Sequence, residues 1–199
     1  MKIFKNELEN YDIEELVIVV DMVNGFVKEG ALAAPSIMRV VPRQIEILKE
    51  AIENPKMGII FIRDCHNKDA VEFKTFGPHC IDGTPETEVI DELKDFVTCF
   101  YKKNSTNFVF ADGFINDINK LKNLKRVLLM GCLSEVCVKN GGIALRNLFD
   151  QLNKDIDVCV YEDAIDTYDA PEHNCLEVTN RALQDMESSG IKILRKVGN

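Results

Sequence analysis

"RVLLMGCLSEVCV", residues 126–138, carries an apolar run into a glycine, a short loop and then a segment with helical spacing. A brief run of this kind reads as a strand buried on both faces, ending at Gly131. Ser134 is a candidate N-cap, and the apolar residues of "EVCVKNGGIALRNLFDQL" (135–152) recur at helical intervals. A strand followed at once by a helix is the repeating unit of a parallel sheet.

The same alternation extends in both directions. Further strand-like runs are "LVIVV" (16–20), "GIIFI" (58–62), "FVTCFY" (96–101), "DVCVY" (157–161) and "IKIL" (191–194). Between them lie segments with helical periodicity: "SIMRVVPRQIEILKEAIEN" (36–54), "PETEVIDELKDF" (85–96), "GFINDINKLKNL" (113–124) and "PEHNCLEVTNRALQDMESS" (171–189). The pattern predicts an α/β fold, a three-layer α/β/α domain over residues 1–199 with a mainly parallel central sheet of about six strands. No repeat or linker rich in Pro, Gly or Ser divides it.

Composition narrows the function. With 24 basic and 33 acidic residues the formal net charge is −9, which repels a phosphate backbone and anionic lipid alike. Nucleic acid and membrane are therefore not expected as partners. The charged start "MKIFKNELENYDIEE" lacks the apolar core of a leader, and the longest apolar runs are too short to span a bilayer, so a soluble cytoplasmic protein is expected. Seven cysteines, at 65, 80, 99, 132, 137, 159 and 175, then read as reduced thiols, most of them small core residues.

In open parallel sheets, ligands bind beyond the carboxyl ends of the strands. The polar residues following the runs are Asp21, then Arg63, Asp64 and His66, then Lys102 and Lys103, then the loop to Cys137, then Glu162 and Asp163. Cys137 would fall in the first turn of a helix, whose free amides and dipole favour a thiolate and can hold an oxyanion. Cys132 is a second candidate in the same loop, nearer the strand. Its spacing from Cys137 is not that of a Cys-x-x-Cys redox pair. A nucleophilic cysteine needs a base, and on the residues alone both His173 and Asp21 qualify. The bland reading of Cys137 is a packed small residue.

The window "RDCHNKDAVEFKTFGPHCIDG" holds two of the three histidines. Asp64, His66, Glu72 and His79 form a ligand set suited to a divalent ion, Zn, Mn or Fe, with Asp69, Cys65 and Cys80 as substitutes in the same loop. The competing reading is a solvated loop with ordinary hydrogen bonds.

Taken in chain order, an aspartate after the first strand, D-x-H after the second, a lysine after the third and a cysteine at the helix after the fourth resemble the isochorismatase-like cysteine hydrolases, and among them the nicotinamidases. The likeness runs from "VVDMVNGFV" to "VYEDAIDTYDAPEHN". Asp21, Asn24 and Phe26 match the family's D-x-x-N-x-F, and "GCLSEVCV" is similar to its nucleophile loop, with Glu135 where an aspartate is usual. The "DCH", Glu72 and "GPHC" pieces match its metal-binding form. The resemblance implies Asp21, Lys103 and Cys137 as catalytic residues and the backbone N–H groups of Leu133 and Cys137 as oxyanion donors beside a cis Cys132–Leu133 peptide. It further implies Phe26 and Phe76 against the substrate ring, and Asp64, His66, Glu72 and His79 around a divalent metal, zinc first. The family expects a phenylalanine six residues after its lysine. Phe108 is six after Lys102, whereas Lys103 has Val109 there, so both lysines stand as candidates. Val23 occupies a place where nicotinamidases commonly carry glutamine.

The activity so implied is hydrolysis of a small-molecule amide, nicotinamide foremost, with other small amides and ureido compounds as alternatives. Self-association into a homo-oligomer is common in such proteins. A non-catalytic binding protein and a thiol redox protein are the rival classes. The cysteine counts against action on isochorismate.

Overall fold

The computed structural model of the protein describes residues 11–195; the charged stretch 1–10, on which the leader-free reading partly rests, and residues 196–199 lie outside the described residues. The elements in order are β1 (Glu15–Val20), α1 (Asn24–Val27), α2 (Val41–Glu53), β2 (Met57–Asp64), α3 (Phe73–Phe76), β3 (Phe100–Lys103), α4 (Phe114–Lys120), β4 (Arg126–Cys132), α5 (Lys139–Gln151), β5 (Asp157–Asp166), α6 (Cys175–Ser188) and β6 (Lys192–Leu194). The six strands form one sheet in the order β3-β2-β1-β4-β5-β6, and every neighbouring pair is parallel.

Period-two alternation sends each central strand's side chains into two apolar layers. Leu16, Ile18 and Val20 of β1 face Phe114, Ile118, Leu145, Phe149 and Met186 from α4, α5 and α6. Val17 and Val19 face the opposite layer, where Phe26, Ile47, Leu48 and Ala51 come from α1 and α2. Burial on both sides explains why β1 and β4 read as unbroken apolar runs. The strand order reverses between β1 and β4, and at their carboxyl ends the crossovers part to opposite faces and leave a crevice.

Three local expectations are corrected. Residues 85–96 form no helix: two short 3-10 turns, Pro85–Thr87 and Lys94–Phe96, flank an extended piece. Its backbone is spent instead on the segment after β1, through Asn24 N to Glu88 O (2.9 Å) and Ile90 N to Met22 O (3.1 Å). Val89 and Ile90 of the extended piece, and Leu93 of the turn that follows it, still reach the core. The third strand starts at Phe100, because the turn at Lys94–Phe96 occupies the beginning of the apolar run, and it carries on through both lysines. Finally, β5 continues to Asp166 past an irregularity opposite β4. Glu162 and Asp163 therefore leave the carboxyl edge, and Asp163 pairs with Arg43 at 3.1 Å.

Close packing of α5 on the 3-10 turn Phe108–Phe110 requires a glycine: a Cβ on Gly141 would lie 2.0 Å from the Phe108 ring. Phe108 is itself fully buried against Phe114. Gly141→Ala is expected to cost about 1–3 kcal/mol through overpacking, read as a lowered melting temperature. An unchanged melting curve would show that α5 yields at this contact.

Candidate active site

The carboxyl ends of β1, β2, β3 and β4 bring four charged or polar groups to the crevice. Asp21 follows β1 directly, with φ 52°. Its amide donates to Ile62 O (3.0 Å), and its carbonyl accepts from Val23 N (2.8 Å) and from Cys132 Sγ (3.1 Å). Beside it, Gly131 has φ 126° and a Cβ there would fall 2.0 Å from the Val20 carbonyl oxygen, so only glycine lets β4 pass β1 this closely. The peptide between Cys132 and Leu133 is cis.

Cys137 lies in a π-helical turn, Ser134–Val138, inserted between β4 and α5. The carbonyl of Leu133 accepts from Val136 N (3.2 Å) and Val138 N (3.1 Å). Ser134 is not an N-cap: Leu133 holds that position without a side-chain bond. The buried Ser134 hydroxyl instead meets Thr179 Oγ1 at 2.8 Å and thereby ties the turn to α6.

Lys103 joins these groups. It is 2% exposed at the end of β3, where alternation turns it inward and leaves Lys102 outside on Asp82 (2.7 Å). Its ammonium donates to Asp64 Oδ1 (2.5 Å), lies 2.9 Å from Asp21 Oδ2 and reaches Cys137 Sγ at 3.5 Å. The approach to Asp21 is an ion pair off the bonding direction. Both Asp21 carboxylate oxygens are buried without an aligned donor among the described residues, with the Cys137 thiol beside them.

The electrostatics follow from burial. Desolvation pushes the Asp21 carboxyl up to about 6, opposed by Lys103 and reinforced by Asp64. Burial likewise raises the Cys137 thiol well above its ordinary value, against the pull of Lys103. The helix-dipole argument from sequence, which favours a thiolate, is thus outweighed in the resting site: burial favours the protonated sulfur, with the Asp21 carboxylate beside it. Burial works against the charge on Lys103, but Asp21, Asp64 and Cys137 together hold its pKa well above the usual lysine value.

Asp64 faces two ways. While Oδ1 takes Lys103, Oδ2 lies 2.9 Å from His66 Nε2 and 3.1 Å from His79 Nε2. The two Nε2 atoms are themselves 3.1 Å apart. Three converging donors of this kind, all buried, could hold a metal ion, and they are the compact ligand group among the described residues. Burial works against the Asp64 anion, yet Lys103, His66 and His79 together hold its carboxyl below the usual range. Glu72 stands further out, 3.9 Å from His66 Nε2. Asp69 is exposed, Cys80 directs its sulfur to Glu86 O (3.9 Å), and Cys65 neighbours Asp82; none joins the group.

His173 does not approach the sulfur. It pairs with Glu135 Oε1 at 3.2 Å and stacks on Tyr168, so the Cys137–His173 alternative has no geometric support. Glu135 also accepts from Thr167 (2.9 Å), which anchors the turn carrying Cys137 to the end of β5.

Residues 15–193 match the family described as "Isochorismatase domain". The chain belongs to the isochorismatase family. Nicotinamidase 1 of Arabidopsis thaliana is 30% identical over 184 residues, covering 82% of this chain and 74% of the relative. A pyrazinamidase of Pyrococcus horikoshii, solved in complex with zinc, is 28% identical with a TM-score of 0.71 over 92% of this chain and 99% of that one. The N-carbamoylsarcosine amidase of Thermoplasma acidophilum shares the fold at 23% identity, TM-score 0.71, over 94% of this chain and 99% of that one. This isochorismatase-family protein is a hydrolase of amide C–N bonds. No helix among its described residues is long and apolar enough to cross a membrane.

A narrow cleft leads to the sulfur, lined by Phe26, Leu32, Phe76, Leu133 and Val136 together with Asp64, Glu72, Thr106 and Cys137. Phe26 is buried and Phe76 is 40% exposed at its mouth. Leu32, Thr106 and Val136 were not singled out in the sequence, where nothing in their own segments marks them as facing the strand ends. Val23, by contrast, is buried against Val89 and does not line the cleft.

Proposed function

We propose that this protein is a nicotinamidase that hydrolyses nicotinamide to nicotinate and ammonia through a Cys137 thioester. The observation that carries the reading is the buried Lys103 ammonium within reach of Asp21, Asp64 and the Cys137 sulfur, at the foot of a cleft walled by Phe26 and Phe76.

Asp21 takes the thiol proton as the sulfur attacks the carboxamide carbon, and Lys103 balances the negative charge that moves between them. The amides of Leu133 and Cys137 hold the oxyanion that forms on the carbonyl oxygen. Asp21 returns its proton to the amide nitrogen, the C–N bond breaks and ammonia leaves, with the acyl group on sulfur. Asp21 next removes a proton from a water molecule as that water attacks the thioester carbon, and the proton passes to the departing sulfur. A carboxyl near pKa 6 suits both directions of transfer close to neutral pH.

Asp64, His66 and His79, with Glu72 near, would hold a divalent ion, and the proposed ion is zinc on the strength of the donor set and the Pyrococcus relative. When bound, such an ion supplies a Lewis-acidic anchor for a ring nitrogen. Phe26 and Phe76 place the ring by apolar contact.

The test is ammonia release from nicotinamide, pyrazinamide, benzamide and N-carbamoylsarcosine, with metal content measured on the same sample. Expected is turnover of the two heteroaromatic amides, lost on chelation and regained with zinc. Release from N-carbamoylsarcosine alone would replace the substrate reading, and no release from any of the four would favour a binding protein.

A further inference from the structure

We propose that Asn104, which nothing above places in the chemistry, is the positioning residue of the metal centre. It fixes the tautomer and orientation of His66 by accepting a hydrogen bond from Nδ1. The inference rests on the metal-binding part of the proposed function.

An imidazole can offer the Nε2 lone pair to a cation only if its proton sits on Nδ1, and a buried Nδ1–H requires an acceptor. His66 is fully buried and its Nε2 faces Asp64 and His79. Its Nδ1 lies 2.9 Å from Asn104 Oδ1. The amide of Asn67 also approaches Oδ1, at 3.4 Å, and a backbone N–H can donate only to the oxygen end of the side-chain amide. Two donors converging on one atom thus orient Asn104 with oxygen toward the histidine.

Its chain position explains the precision. Lys103 ends β3 with its side chain turned in to Asp21 and Cys137, and the following residue turns the other way to His66. One strand end therefore holds a group on each side of Asp64. His79 is oriented equivalently by the carbonyl of Gly77, 2.8 Å from its Nδ1. A backbone acceptor cannot be removed by substitution, so Asn104 is the orienting group open to test.

Zinc affinity of the full chain is measured by competition with a chromophoric chelator for wild type, Asn104→Leu and Asn104→Asp, alongside the cobalt(II) absorption spectrum and the melting temperature of metal-free protein. Asn104→Leu is expected to weaken zinc binding roughly 10- to 100-fold and to alter the cobalt spectrum. Asn104→Asp, which keeps an acceptor in place, should bind as tightly as wild type, and the metal-free melting temperatures should coincide. Equal affinity in Asn104→Leu and wild type overturns the proposal, as does equal loss in both variants. A wild-type chain that binds no zinc would reject the metal reading itself, a result distinct from either.

Discussion

Cys137→Ala is expected to reduce ammonia release by on the order of 10⁴-fold or more, because residues acting as one nucleophilic unit lose nearly all their effect when the attacking atom goes. The side chain is 4% exposed and small, so the change removes one sulfur from a packed turn and leaves Leu133, Val138 and the Ser134–Thr179 bond in place. Substrate binding should survive, since the cleft's apolar walls come from other residues. The variant therefore separates chemistry from binding: nicotinamide should still raise its melting temperature while turnover vanishes. A variant that keeps more than a tenth of wild-type activity would refute covalent catalysis through this sulfur. Cys132→Ala is the matching control, because that thiol donates to the Asp21 carbonyl and does not face the cleft.

The sheet was legible because β1, β2 and β4 are buried on both faces, which forces unbroken apolar runs. Residues 85–96 misled because Val89, Ile90 and Leu93 have helical spacing, whereas the backbone there is claimed by Met22 and Asn24 from far along the chain. Periodicity carries no record of such a partner. The lysine ambiguity, raised by the position of Phe108, could not be resolved from the residues for a related reason. With the strand placed too early, both lysines read as loop, and only the register of β3 against β2, pairing Lys103 with Asp64, turns one inward. Asn104 was invisible for a further reason: its role depends on which way a histidine ring points. The thiol's raised pKa was likewise hidden, since helix position is local but burial is a property of the assembled core.

Asp21→Asn is expected to lower kcat by about 10²- to 10⁴-fold, the usual worth of a positioned general acid–base. Asparagine fills the same space but cannot accept the thiol proton or return it to the leaving nitrogen. The pH dependence gives the sharper readout. In wild type, kcat/KM should fall as pH drops through about 6, where the desolvated carboxyl takes up a proton and ceases to be a base. That acid limb should disappear in the variant, whose residual activity should climb at alkaline pH as the Cys137 thiol, raised by burial, ionises without help. Stability runs with the opposite sign. A carboxyl whose pKa is raised from 3.8 to about 6 on folding binds its proton more tightly in the native state, so its ionisation opposes the fold as pH rises through that window. Above pH 6 the Asp21→Asn protein is relieved of this penalty but also loses the ion pair to the buried Lys103, so its melting temperature should stay close to that of wild type while nearly all activity is lost. An acid limb that persists unchanged in the variant would assign the titration to another group and remove Asp21 from the proton path.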